Sequence, residues 1–237
     1  MSETRSVFSA LTPTNRRILL GNGISALGSG LTFSFLVIYL GQVRGLGTTF
    51  AGLVVAFEAI LGLAVTVPVG ALVDRFGPRP VLLVGLTIEA IGTAALTLVT
   101  SVASALIVAT ILSIGHAAFW APQSALYARV TPRERRQDLF GLQFMLLNLG
   151  LGLGGLIAAT IVDPARPGTF VVLYLLDAAT YLVYIAILIG MRGVGTGPSQ
   201  PDDGDEASSG GYRVVLRDRA MIWLAIAAMV LLTVGYG

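Results

Sequence analysis

Gly70-Ala71-Leu72-Val73-Asp74-Arg75-Phe76-Gly77-Pro78-Arg79-Pro80 is a short charged turn set between two apolar runs, Thr48 to Val73 and Val81 to Thr100. A helix that crosses a bilayer needs about 20 mainly apolar residues, because the hydrocarbon core is about 30 Å thick and each residue rises about 1.5 Å. Both runs are long enough. The turn between them is too short to leave the membrane interface, so the two form a helical hairpin. Gly70 lets the helices approach closely, and Gly77 permits a tight reversal. Asp74 then has Arg75 and Arg79 within reach to neutralise it.

Working outward, the same criterion selects Ile18 to Leu40, Ala103 to Ala128, Leu139 to Val162, Thr169 to Met191 and Ala220 to Gly237. The last run reaches the chain end without a closing polar flank and is expected to be cut off. Apolar residues make up 55% of the chain and charged ones 12%, a balance that a soluble domain could not keep monomeric. The expected class is an all-α membrane protein. The first run is too long for the core of a cleaved signal peptide, roughly 7–15 residues, and is taken as retained.

Several chemistries are excluded. The chain has no cysteine, and its single histidine, His116, cannot build a zinc site alone, so neither metal nor cofactor is expected. No G-x-x-x-x-G-K-[ST] loop occurs, so the chain carries no ATP-driven pump, and no nucleophile motif points to an enzyme. A near-neutral net charge with arginines confined to loops argues against nucleic acid as a partner.

Orientation follows from those arginines, since short Arg-rich loops stay cytoplasmic. An inside amino terminus keeps Arg5, Arg16, Arg17, Arg75, Arg79, Arg129, Arg133, Arg135, Arg136, Arg192, Arg213, Arg217 and Arg219 inside. Only Arg44 and Arg166 fall outside. Gly193 to Gly211, with Pro198, Pro201, Asp202, Asp203, Asp205 and Glu206, reads as a flexible linker. Arg213 and Arg217 stand one turn apart on a short surface helix. The expected division is a cytoplasmic amino-terminal segment (1–17), a six-helix bundle (18–191), a cytoplasmic linker and surface helix (192–219) and a seventh membrane helix (220–237).

The Gly70–Pro80 turn resembles the loop signature of the major facilitator superfamily, G-x-L-x-D-R-x-G-R-[KR]-x, in the loop where that family carries it. Gly70, Leu72, Asp74, Arg75, Gly77 and Arg79 match, while Pro78 replaces a basic residue. A second stretch, Gly115-His116-Ala117-Ala118-Phe119-Trp120-Ala121-Pro122, followed by Pro132-Arg133-Glu134-Arg135, resembles the exporter branch that includes enterobactin and macrolide efflux proteins. The resemblance implies a bundle of two three-helix repeats, forming the amino-terminal half of a transporter. It also implies a conformational clamp made by Gly70, Asp74, Arg75, Gly77 and Arg79. Two departures count against a drug antiporter: Ile111 stands where many proton antiporters place Arg, and Gly150-Leu151-Gly152-Leu153-Gly154-Gly155 lacks the Pro of the fifth-span motif. Gly150 and Gly154 instead make a GxxxG face for close helix packing.

A carboxylate at mid-membrane costs roughly 2.5–3.5 kcal/mol on insertion scales, so each needs a reason. Glu58, Glu89 and Asp177 all lie near mid-span, joined by His116. In the family fold, spans one and four line the central cavity, two and five flank it, and three and six are outer scaffold. Glu58 and His116 are therefore candidates for binding protons or substrate, or for bonding a neighbouring helix. Trp120 is a cavity aromatic one turn after His116, and Asn22, Ser25, Gln123 and Asn148 are candidate substrate contacts. Glu89 and Asp177 occupy equivalent places in the two repeats and are read as structural or coupling carboxylates.

The resemblance implies a secondary active transporter exporting amphipathic small molecules, drug-like or siderophore-like, in exchange for protons. Its setting would be the bacterial inner membrane, with the lipid bilayer and a carboxy-terminal half as partners. The alternative is a split or truncated half that acts as a non-transporting membrane partner.

Overall fold

The computed structural model describes residues 11–191, 193–195 and 197, so the seventh apolar run, Arg213, Arg217, Arg219 and most of the acidic linker lie outside the described residues. Among the described residues all regular structure is helical. Helix α1 spans Pro13–Phe33, breaks briefly, and resumes through Leu36–Ile38 and a wide π turn at Tyr39–Val43. Then come α2 (Thr48–Phe76), α3 (Pro78–Ala95, prolonged by a 3-10 turn at Leu96–Leu98), α4 (Val102–Val130), α5 (Arg133–Ile161) and α6 (Gly168–Ile189). All six are long and apolar enough to cross a membrane.

Local chemistry sets the ends. Thr12 caps α1, its side chain accepting from Asn15 N at 3.2 Å, and Pro13 takes the first position, where a missing N–H costs nothing. Ser101 and Ser104 cap α4 reciprocally. A single residue, Gly77, reverses the chain between α2 and α3 at φ +86°, a conformation that favours glycine. Several helices outrun the apolar stretches that announce them: α1 begins at Pro13 rather than Ile18, and α5 at Arg133 rather than Leu139. Hydropathy reports only the part of a helix in hydrocarbon, whereas the hydrogen-bonded backbone continues into the interface.

Helix α1 packs on α5 and α6, α4 packs on α2 and α3, and α3 packs on α6. Exchanging α1 with α4, α2 with α5 and α3 with α6 leaves that set unchanged, which is the pseudo-two-fold relation of two three-helix repeats. Glycine makes the close seams. At Gly154 of α5 a Cβ would stand 2.9 Å from Gly30 Cα of α1, and at Gly150 it would stand 2.8 Å from Ala26 Cβ. Helices α2 and α5 bury least and present apolar side chains such as Leu53, Ile60, Leu63, Leu149, Leu153 and Leu156 outward.

Two apolar clusters occupy opposite ends of the bundle. One gathers Tyr39, Leu96, Phe170 and Tyr174; the other gathers Ile18, Leu19, Leu82, Tyr127, Leu139 and Tyr184. Along α1, α3, α4 and α6 the residues between them include Ser29 and Thr32, Glu89 and Thr93, Ser113 and His116, and Asp177, forming a polar layer across the middle.

Two expectations at the Gly77 end change. Arg79 does not turn to Asp74: its guanidinium donates to Leu188 O at 2.7 Å and to Ile189 O at 3.4 Å, adding a cation at the carboxy-terminal end of α6, where Leu188 O also accepts from Met191 N at 3.0 Å. Nor is the linker free from its first residue. Gly195 O accepts from Arg79 N at 3.1 Å, and Gly197 O accepts from Arg129 Nη1 at 2.9 Å. Gly193, Gly195 and Gly197 all have positive φ, a backbone conformation that favours glycine.

Candidate functional site

The polar layer borders a cavity of about 620 Å³ whose wall is built by α1, α2, α3, α4 and α6. Glu58, Glu89, His116, Trp120 and Asp177 all line it, and no arginine does among the described residues. The pseudo-symmetry explains how α3 and α6 reach it. Glu89 of α3 lies over Gly115 of α4, where a Cβ would stand 3.1 Å from Glu89 Cγ. Asp177 of α6 lies over Gly28 of α1, where a Cβ would stand 2.5 Å from Asp177 Oδ1. Each carboxylate enters the layer because the facing helix has no side chain there.

The two carboxylates are held differently. Thr32 Oγ1 donates to Asp177 Oδ2 at 2.5 Å, and Thr180 Oγ1 donates to Asp177 Oδ1 at 3.4 Å. Glu89 Oε1 instead lies 3.3 Å from His116 Nδ1. The other ring nitrogen, His116 Nε2, accepts from Trp120 Nε1 at 2.8 Å, and Trp120 stacks edge-on against Phe119 at 5.3 Å between ring centroids. The Glu89 side chain is 5% exposed and that of His116 60% exposed, so the pair has a buried end and an end facing the cavity.

Glu58 is half-buried in the α2 wall, and its carboxylate has no hydrogen-bond partner among the described residues. Its backbone carbonyl accepts from Ser113 Oγ at 3.0 Å, which fixes this turn of α2 to α4. The arrangement offers one open carboxylate, one carboxylate paired with an imidazole and one enclosed by hydroxyls.

The remaining sequence candidates lie elsewhere. Asn22 and Ser25 are buried in α1 away from the cavity wall, with Asn22 Oδ1 unpaired. Gln123 is fully buried and accepts from Tyr184 OH at 3.3 Å. Asn148 is exposed on α5, its amide turned to Phe144 O at 2.8 Å. Glu89 and Asp177, read from sequence as belonging to outer scaffold helices, reach the cavity together with Thr93 and Tyr181. Sequence reasoning passed over Ser29, Thr32 and Tyr181. Their signal is positional: Ser29 follows Gly28 as His116 follows Gly115, and Tyr181 lies one turn after Asp177 as Thr93 lies one turn after Glu89.

At the Gly77 end, Asp74 and Arg75 are exposed, with Arg75 lying 5.2 Å over the Phe76 ring. Among the described residues Asp74 makes no ion pair.

Residues 18–237 match the family described as the Major Facilitator Superfamily. An uncharacterized MFS-type transporter, YdeE of Escherichia coli (strain K12), is 21% identical over 217 residues, which cover 90% of this chain and 52% of that protein. The multidrug resistance protein MdtH of Photorhabdus laumondii is 24% identical over 146 residues, 62% of this chain and 36% of that protein. Among solved structures, a POT family transporter in complex with 5-aminolevulinic acid aligns with a TM-score of 0.66 at 20% identity, covering 94% of this chain and 46% of that one. A bacterial homolog of the human lysosomal transporter Spinster aligns with a TM-score of 0.59 at 18% identity, covering 88% and 49%. At these identities the structures show a shared fold. The chain spans about half the length of the curated relatives it matches over most of its own length.

Proposed function

This chain belongs to the Major Facilitator Superfamily, a family of membrane transporters, and on that premise we propose that it forms one half of a secondary active transporter exporting amphipathic small molecules in exchange for protons. The supporting observation is the cavity, where, among the described residues, apolar and aromatic walls enclose three carboxylates and one imidazole with no arginine beside them. Groups that gain and lose protons, set in a wall that also suits a greasy solute, allow one site to bind proton and substrate in alternation. The multidrug-resistance relatives support export, and the arginine distribution supports an inner-membrane protein with its amino terminus inside.

In this reading the lightly buried faces of α2 and α5 receive a second, carboxy-terminal half. Asp74 and Arg75, exposed beside Gly77, serve as the clamp that holds the halves closed at the cytoplasmic end. In the same reading the residues before Pro13 precede the bundle, and the segment 192–219 is proposed as a linker to a seventh membrane helix at 220–237.

The test is transport by the complete two-half protein in reconstituted vesicles, using a fluorescent amphipathic solute with and without an imposed pH step. Flux that rises with an opposing proton gradient supports the reading. Flux that ignores the gradient sinks the proton coupling.

A further inference from the structure

The contacts around His116 specify where its proton sits. An indole N–H can only donate, so His116 Nε2, at 2.8 Å from Trp120 Nε1, is an acceptor and bears no proton. The neutral ring then carries its hydrogen on Nδ1, which donates to Glu89 Oε1 at 3.3 Å. A histidine protonated on both nitrogens would turn an N–H toward the Trp120 N–H and could not keep that contact. Trp120 therefore occupies the one atom at which His116 can take up a proton, and it does so from the cavity side.

We propose that Trp120, His116 and Glu89 form a one-proton relay, in which a proton taken up at His116 Nε2 displaces the Trp120 indole from the cavity wall and is balanced by passage of the Nδ1 proton to Glu89. In the first step a proton from water in the open cavity forms an N–H bond at Nε2, and the hydrogen bond from Trp120 breaks. In the second the Nδ1–H bond breaks as its proton bonds to Glu89 Oε1. The pair has then gained one proton: Glu89 is a neutral acid, and His116 is neutral again with its hydrogen on Nε2. Release reverses both steps. The buried end stores the proton, the exposed end exchanges it, and movement of Trp120 reshapes the wall that a solute touches.

Among the described residues the groups facing this pair are few. Helix α2 contributes Glu58, α6 contributes Asp177 and Tyr181, α1 contributes only the hydroxyls of Ser29 and Thr32, and α5 contributes nothing to the wall. Asp177 is enclosed by Thr32 and Thr180, which leaves Glu58 as the other carboxylate that can modulate the relay. His116 and Glu89 touch the travelling proton, whereas Trp120 is a positioning residue that selects the tautomer. In the related repeat, Ser29 and Phe33 stand where His116 and Trp120 stand in this one, so the relay belongs to one repeat only.

The relay deepens the proton-coupled reading, and its test is built to fail separately. The complete two-half protein is prepared with His116 as its sole histidine and Trp120 as its sole tryptophan. Nitrogen NMR of the imidazole at neutral pH is expected to give the Nδ1–H tautomer, and Trp120→Phe should lose at least half of that preference. A parent protein with its hydrogen on Nε2 overturns the proposal. Trp120 emission is expected to change on acidification across about pH 9 to pH 5, and Glu89→Gln should shift the midpoint by about one pH unit or more, a tenfold change in proton affinity. Emission that is flat with pH, or a midpoint indifferent to Glu89→Gln, overturns it as well. If tautomer and emission behave as stated while flux ignores the pH step, the relay stands and the coupled-transport reading falls.

Discussion

Thr32 Oγ1 donates to Asp177 Oδ2 at 2.5 Å, joining α1 to α6 inside the bundle at a point where Asp177 is 1% exposed. A buried carboxyl left without its donor loses about 1–3 kcal/mol. Thr32→Val keeps the shape of Thr32 and removes the hydroxyl, so it is expected to destabilise the assembled protein by that amount. Asp177→Asn, which can still accept from Thr32, should cost less. Thermal unfolding in detergent reads both, and the double variant should be less destabilised than the sum of the two. Simple additivity would mean that the contact carries no coupling energy.

Glu58 stands in the cavity wall without a hydrogen-bond partner among the described residues, which leaves it free to bind a proton or a cationic group of a solute. Glu58→Gln should preserve folding, because the amide mimics the neutral acid. It should also reduce the response of vesicle transport to an imposed pH step at least about tenfold, the equivalent of about 1.4 kcal/mol. A response equal to the parent's would move the coupling to the His116 and Glu89 pair alone.

The α1–α5 seam offers a test of packing with a control on the same helix. Gly154 has no room for a Cβ against Leu27 O and Gly30, whereas at Gly152 nothing lies within 4 Å. Gly154→Ala should cost roughly 1–3 kcal/mol, as overpacking does. Gly152→Ala should be neutral or mildly stabilising through helix propensity. Unfolding midpoints in detergent would contradict the seam if the two variants behaved alike.

Asp74 and Arg79 lie in one motif but in different surroundings: Asp74 is exposed, and Arg79 reaches the end of α6. Arg79→Ala removes donors from Leu188 O and Ile189 O and should lower the thermal stability of the bundle, by about 1–2 kcal/mol. Asp74→Asn touches no such bond and should leave stability within about 0.5 kcal/mol. It is expected instead to cut transport by the complete protein in intact cells. Undiminished transport would remove the clamp role of Asp74, and loss of stability in Asp74→Asn would point to a partner within the bundle.

The turn Gly70–Pro80, the lengths of the apolar runs and the GxxxG spacing of Gly150 and Gly154 determined a great deal from the sequence alone: membrane helices, their number in residues 13–189, the reversal at Gly77 and a tight glycine seam. Those features are local, since a bilayer demands about 20 apolar residues and an internally bonded backbone wherever the chain crosses it. The family resemblance put Glu58, His116 and Trp120 at the cavity, but that α3 and α6 also turn a face toward it was not legible. Hydrocarbon and protein interior are equally apolar, so a membrane helix lacks the polar stripe that marks the outer face of a soluble one. Glu89 could thus be placed at mid-span of α3 but not against His116, and Asp177 at mid-span of α6 but not under Thr32, 145 residues away in the chain. Only the tertiary structure decided these pairs, because Gly28 and Gly115 leave room for a carboxylate only once α6 is set against α1 and α3 against α4.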